Sequence, residues 1–292
     1  MDFSKPVSVS DFLEGIEDYI IFPSVGFEVN RMVADERYTA IDIANEIAKD
    51  PLIAAQVLRL ANSIYYQFPS SIDSIPRAIA VIGTEDLRNL VLMLSLVNAS
   101  RNDVAMSSVN IEYIWQHGLF VGLLAGEFSK YLSTPLHNSD RLFIAGVLHE
   151  IGRIIFSFKV PEQYARLVNS IQDLRQPFYE LEKKHLGFAH NDVSSMLLQN
   201  WNFPRSLIEI VKFQYQPAES PEFILEAALL LLANKYSEET GLGSIGIDDE
   251  ASQVEQAIGI CKIPEESLRK AIEDSRQKYF ALLPAFILQK SA

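Results

Sequence analysis

The chain has 292 residues, with 25 Lys and Arg against 38 Asp and Glu and a formal net charge of −13. At 48% hydrophobic and 22% charged residues it has the material for a large buried core, which excludes a disordered chain. The acidic balance excludes nonspecific nucleic-acid binding, which rests on Lys and Arg neutralising phosphates, and the single cysteine, Cys261, excludes an internal disulfide framework or a CxxC zinc site.

Gly and Pro are sparse, and apolar residues recur at helical spacing from one end of the chain to the other. The N-terminal stretch lacks the apolar run of a secretory signal, so a cytoplasmic protein is expected. The first clear helices are predicted over 41–47 and over Pro51–Ala61, the second opened by Asp50 as cap and Pro51 in its first turn. Helices over Ile75–Ile82, 86–99 and 111–131 follow. From Leu90 onward the 86–99 segment is apolar nearly all round, the pattern of a buried helix or of a homodimer interface. In the next one Gly118, Gly122 and Gly126 recur every four residues. Each glycine costs about 1 kcal/mol against alanine in a helix interior, so they predict close approach of a neighbouring helix, with a small-residue dimer face as the alternative. The longest uncharged run, residues 113–126, falls short of the roughly 20 apolar residues a bilayer span needs, so no membrane segment is expected. Helices over 140–158, 161–173, Phe178–Leu186, His190–Asn200, 204–213 and 221–236 complete the main body. Nothing alternates convincingly as a strand, and the expected class is all-α. Two soft boundaries stand at the polar residues 100–110 and at 237–250, a loop with three glycines and five acids. Beyond it Pro264, Glu265 and Glu266 open a further helix, with acids where they complement the macrodipole.

The five histidines carry most of the chemical information. His117 lies on a stripe with Ile114, Val121, Leu124 and Phe128; His149 follows Leu142 and Ala145 at the same spacing and is itself followed by Glu150; His190 precedes Val193 and Leu197. Asn234 follows Ala227, Leu230 and Leu231 in the same way. Four helices thus point a ligating or hydrogen-bonding group inward. Buried polar groups need partners, and the two answers are local hydrogen bonds or one shared metal or anion. Imidazole with carboxylate suits Mn, Fe, Ni or Zn, and such an ion with an open position activates water and clamps a phosphoryl oxygen. His137 follows Pro135 in a predicted loop, and His185 stands five residues before His190, off its helix face.

At Leu148-His149-Glu150-Ile151-Gly152-Arg153 the sequence resembles the HD-superfamily core motif, and residues 113–117 resemble that superfamily's first ligand helix. Gly187-Phe-Ala-His190 and the Trp201-Asn-Phe-Pro204 turn are similar to those of the HDOD (HD-related output domain) family. So are Ile21-Phe-Pro23, Asp50-Pro51-Leu52, the string Val57-Leu-Arg59-Leu-Ala-Asn62-Ser63 and the run through Ile75, Ala78 and Gly83. The resemblance covers residues 21–236 and implies an all-α, two-lobed HDOD domain, with an HDOD-specific N-terminal lobe at 1–105 and a degenerate HD-like lobe at 106–236; residues 237–292 lie outside it and read from their acidic composition as a helical extension.

The resemblance also implies a metal set of His117, His149, Glu150 and His190, with Asn234 as a weak contact where HD enzymes place a closing aspartate. The departures from the HD pattern are Glu150 in place of aspartate, Asn234 in place of aspartate, and Phe213-Gln214 near the place where binuclear relatives carry a His-His pair. They leave too few anionic donors for a dication, so no catalytic residue is assigned and no cofactor is expected beyond a single transition ion. The expected function is a non-catalytic bacterial signalling module that binds a protein partner or a small phosphorylated ligand, with Arg59, Asn62 and Ser63 as candidate partner-binding residues. The alternatives are an HD-type metal-dependent phosphohydrolase acting on a phosphate ester or cyclic nucleotide, and a structural scaffold whose inward polar groups satisfy one another.

Overall fold

The computed structural model describes residues 8–16, 24–35, 37–63, 65–66, 68, 70–100, 109–136, 140–170, 176–243 and 251–286. Among them every regular element is helical, as the spacing of apolar residues predicts. The chain divides into two compact units, one of residues 1–19 with 103–275, the other of 20–102 with 276–292. The first is built from α1 (Val9–Leu13), α7 (Ile111–Ser129), α8 (Asp140–Leu148), α9 (Ile151–Lys159), α10 (Pro161–Ser170), α11 (Phe178–Leu186), α12 (His190–Asn200), α13 (Arg205–Lys212), a single 3-10 turn at Pro217–Glu219, α14 (Ile224–Glu238) and α15 (Ala251–Cys261). The second is built from α2 (Ser24–Val33), α3 (Ala40–Ile47), α4 (Pro51–Ala61), α5 (Ile75–Ile82) and α6 (Thr84–Ser100). The last helix, α16 (Glu265–Phe286), belongs to the first unit up to Ser275 and to the second from Arg276.

This division differs from the sequence boundaries at both ends. The first residues go with the first unit because the aromatic ring of Phe12 packs on Phe156 at 5.3 Å and on Phe188 at 5.1 Å, while Lys159 Nζ donates to the Glu14 carbonyl at 2.5 Å. Most of the acidic extension also belongs there: α15 packs on α14 and buries Ala257 and Cys261. Burial pushes the Cys261 thiol up to about 12, so it is inert as a nucleophile at neutral pH.

In the second unit local chemistry fixes the helix ends. Thr39 and Asp42 form a reciprocal capping box at α3, and Asp50 caps α4 by accepting from the Leu52 and Ile53 amides. A buried amide pair holds α4 to α6: Asn98 Nδ2 donates to Gln56 Oε1 at 2.8 Å and Gln56 Nε2 donates back at 3.3 Å. Each amide satisfies the other, as burial requires. From Asn89 to Ser100 every residue of α6 is buried.

In the first unit the closest pairing is α7 on α8. A Cβ on Gly118 would stand 2.7 Å from the Val147 carbonyl oxygen, and one on Gly122 would meet that of Phe143. The glycine spacing therefore reports backbone-to-backbone contact, bringing α7 and its His117 against the end of α8. The helix predicted over 140–158 is two helices, broken at His149 and Glu150. Two contacts explain the break. The His149 ring takes the Gly146 carbonyl at 2.6 Å, and Gly152 lies so close to the His190 carbonyl that no Cβ fits between them. The His149 carbonyl, freed at the break, accepts from Ser194 Oγ at 3.1 Å and Gln214 Nε2 at 3.2 Å.

Candidate metal centre

The break between α8 and α9 presents His149 and Glu150 to His117 on α7. The two imidazoles lie 5.1 Å apart at 53°, His117 Nε2 is 3.8 Å from Glu150 Oε2, and one donor atom from each of the three residues lies within 4.8 Å of the other two. All three are fully buried. Both rings are oriented through Nδ1, His149 by the Gly146 carbonyl and His117 by the Leu242 carbonyl, each at 2.6 Å. A carbonyl only accepts, so Nδ1 carries the proton, and in the neutral ring Nε2 is the lone pair. Neither Nε2 has a hydrogen-bond partner. A carbonyl accepting from the far ring nitrogen is the usual arrangement of a metal-ligating histidine.

Electrostatics temper this geometry. One turn along α9, Arg153 places Nε 2.9 Å from Glu150 Oε1, itself wholly buried and stacked over the Phe178 ring at 4.9 Å. Burial opposes the charge on Glu150, but Arg153, with His117 and His149, outweighs it and holds the carboxyl well below the usual range. Burial pushes His149 down to about 3, against the attraction of Glu150, so it is neutral at pH 7. The single carboxylate of the cluster is thus answered by a guanidinium.

His190 stands outside the group of three. Its Nδ1 meets Glu182 Oε2 at 2.5 Å and its Nε2 meets the Tyr215 hydroxyl at 2.8 Å, while its amide donates to the same Glu182 oxygen at 2.8 Å. Glu182 Oε1 accepts from Tyr164 Oη at 2.8 Å. Burial disfavours the Glu182 carboxylate, yet His190 holds its pKa below the ordinary value. Tyr215 in turn stacks on Tyr179 at 4.5 Å, to which Gln253 of α15 donates at 2.8 Å. The inward histidine of α12 is therefore spent on a buried Glu-His-Tyr network.

Asn234 is buried on α14, its Oδ1 without a hydrogen-bond partner. His185 is exposed, and His137 lies outside the described residues. Of the candidate partner-binding residues, Asn62 is committed within the fold: Nδ2 donates to the Leu58 and Ile72 carbonyls at 2.8 and 2.6 Å, and Oδ1 accepts from the Ile72 amide at 2.7 Å. Ser63 Oγ accepts from the Tyr65 amide, and Arg59 is exposed.

Sequence reasoning missed Arg153, Glu182 and Tyr215 as partners of the cluster and of His190. The first was within reach, since Arg153 stands three residues after Glu150, a facing position on a helix. The other two depend on tertiary placement. By donor type, and by the Nε2 lone pairs of the two histidines, which have no hydrogen-bond partner, His117, His149 and Glu150 fit one imidazole-binding transition ion. Such an ion supplies Lewis acidity and an activated water when it is held with an open position.

Among the described residues the fold and the site define an all-helical protein with a buried His-His-Glu cluster at a helix break. The HDOD domain family matches residues 20–217, and the chain belongs to that family. It is 25% identical over 209 residues to an uncharacterized protein of Treponema pallidum (strain Nichols), a match that spans 71% of this chain and 39% of the length of that relative. Two solved structures share the fold. An HDOD domain protein with unknown function from Geobacter sulfurreducens has a TM-score of 0.74 at 19% identity, covering 96% of this chain and 97% of that one. A protein from Shewanella amazonensis SB2B, provisionally named a phosphohydrolase, has a TM-score of 0.72 at 22% identity, covering 94% and 98%. No helix among the described residues is long and apolar enough to cross a membrane.

Proposed function

We propose that the chain is a signal-transduction module that works by binding a partner protein or a small phosphorylated ligand, and not by hydrolysing phosphate esters. The observation that carries this reading is the buried pair of Glu150 and Arg153. Metal-assisted hydrolysis needs an ion held firmly enough to acidify its water. Two imidazoles and a carboxylate already matched by a guanidinium hold a dication weakly, and His190 has no free nitrogen to add.

The test is turnover of bis(p-nitrophenyl) phosphate and cyclic nucleotides by the full chain with Mn, Fe, Ni or Zn added. The expected result is no rate above the metal-only blank, with His149→Ala indistinguishable from wild type. Turnover that His149→Ala abolishes would overturn the reading in favour of an HD-type metal-dependent phosphohydrolase. That second reading is favoured by the two Nε2 lone pairs, which point at one place and meet no donor of the protein.

A further inference from the structure

The loop that follows α14 lies beyond the residues matched to the family, yet it reaches the cluster. His117 and Tyr113 are neighbours at i and i+4 on α7. His117 Nδ1 donates to the Leu242 carbonyl at 2.6 Å and Tyr113 Oη donates to the next carbonyl, that of Gly243, also at 2.6 Å. Two successive carbonyls of one turn are thus held by two side chains one helical turn apart. The turn is built to present them. Its chain reversal starts with Thr240 and Gly241 amides bonded back to the Ser237 and Glu238 carbonyls. Gly241 takes φ +77, which L side chains rarely adopt. A Cβ on Gly243 would press on Glu238 Cα at 3.0 Å. Gly241 is exposed and Leu242 half-buried, whereas His117 is wholly buried, so the turn is the surface side of the histidine.

We infer that this turn, residues 241–243, positions His117: the Leu242 carbonyl fixes the ring in the Nδ1–H tautomer and Tyr113 anchors the turn, so that Nε2 faces His149 and Glu150 as a ligand lone pair. The inference rests on reading those three residues as an ion cluster. The turn is a positioning element that touches no ion itself. Orienting partners of this kind change metal affinity by roughly 10–100-fold when removed.

The test uses the full chain with 15N-labelled histidine. Long-range proton–nitrogen correlation spectra report which ring nitrogen carries the proton, first without metal and then through a Ni(II) titration extended to millimolar concentrations. Wild type is expected to show the Nδ1–H tautomer at both His117 and His149. Gly241→Val, which strains the turn, and the milder Tyr113→Phe, which removes its anchor, are expected to mix the tautomers of His117 while leaving the His149 signals in place as an internal control for folding. Ni(II) affinity should fall about tenfold in each. An Nε2–H tautomer of His117 in wild type, or an unchanged His117 tautomer in the folded Tyr113→Phe variant, overturns the assignment. If wild type takes up no Ni(II), the ion reading of the cluster fails, and the tautomer of His117 in the two variants still decides the role of the turn.

Discussion

Glu182 accepts from the Tyr164 hydroxyl, the His190 amide and the His190 ring. Removing the acceptor strands all of those donors in a fully buried place, where breaking a charged pair costs about 3–5 kcal/mol. Glu182→Ala is therefore expected to lower the urea-unfolding free energy by about that much at pH 7. The pH dependence has a definite sign. The folded carboxyl titrates below its ordinary value of 4.5, so its contribution is present above that pH and is lost as pH falls through the lower folded value. Unfolding curves of wild type and Glu182→Gln should converge as pH falls through that lower folded value. Convergence on raising the pH instead would contradict the assignment. At Arg153 the competition between guanidinium and ion becomes measurable. Arg153→Met leaves Glu150 buried without its cation and should cost about 3–5 kcal/mol in the presence of a chelator, while tightening Ni(II) binding at least about tenfold, so that Ni(II) raises its Tm more than that of wild type. A variant that binds Ni(II) no better than wild type would show that the pair does not limit affinity.

Helices whose ends are set by their own residues were legible in the chain: α4 and α5 carry Asp50-Pro51 and Ser74-Ile75-Pro76 at their starts, and both lie where the pattern places them. The glycine spacing on α7 likewise announced a close neighbour. The break between α8 and α9 was not legible, because the apolar periodicity runs through it. What divides the helix is a contact with residues about forty positions later, Gly152 against His190 and Ser194. The same holds for His190, whose stripe spacing showed that it points inward but not that Glu182 and Tyr215 wait there. α1, α2 and α15 were not read, although α2 carries Val25, Val29 and Met32 at helical spacing on its buried face. The α7–α8 pairing yields a prediction of its own. Gly122→Ala forces a methyl onto the Phe143 backbone, and overpacking of this kind costs typically about 1–3 kcal/mol. The loss should appear as a lower urea midpoint at unchanged m-value. An unchanged midpoint would mean that the helices are not held at this separation in solution.

For the molecule as a whole, family membership and chemistry separate. The HDOD match and the shared fold establish the architecture, whereas function is decided at the site. There the donor atoms for an ion are in place and oriented, but the charge to hold it is not in surplus. The most direct measurement is the equilibrium affinity of the full chain for Ni(II) or Zn(II) at pH 7, with phosphodiester turnover read on the same sample. The expected result is binding no tighter than about 1 μM, equivalent to about −8 kcal/mol, and no turnover above the ion alone. Stoichiometric binding far tighter than that, accompanied by turnover that disappears in His149→Ala, would contradict it.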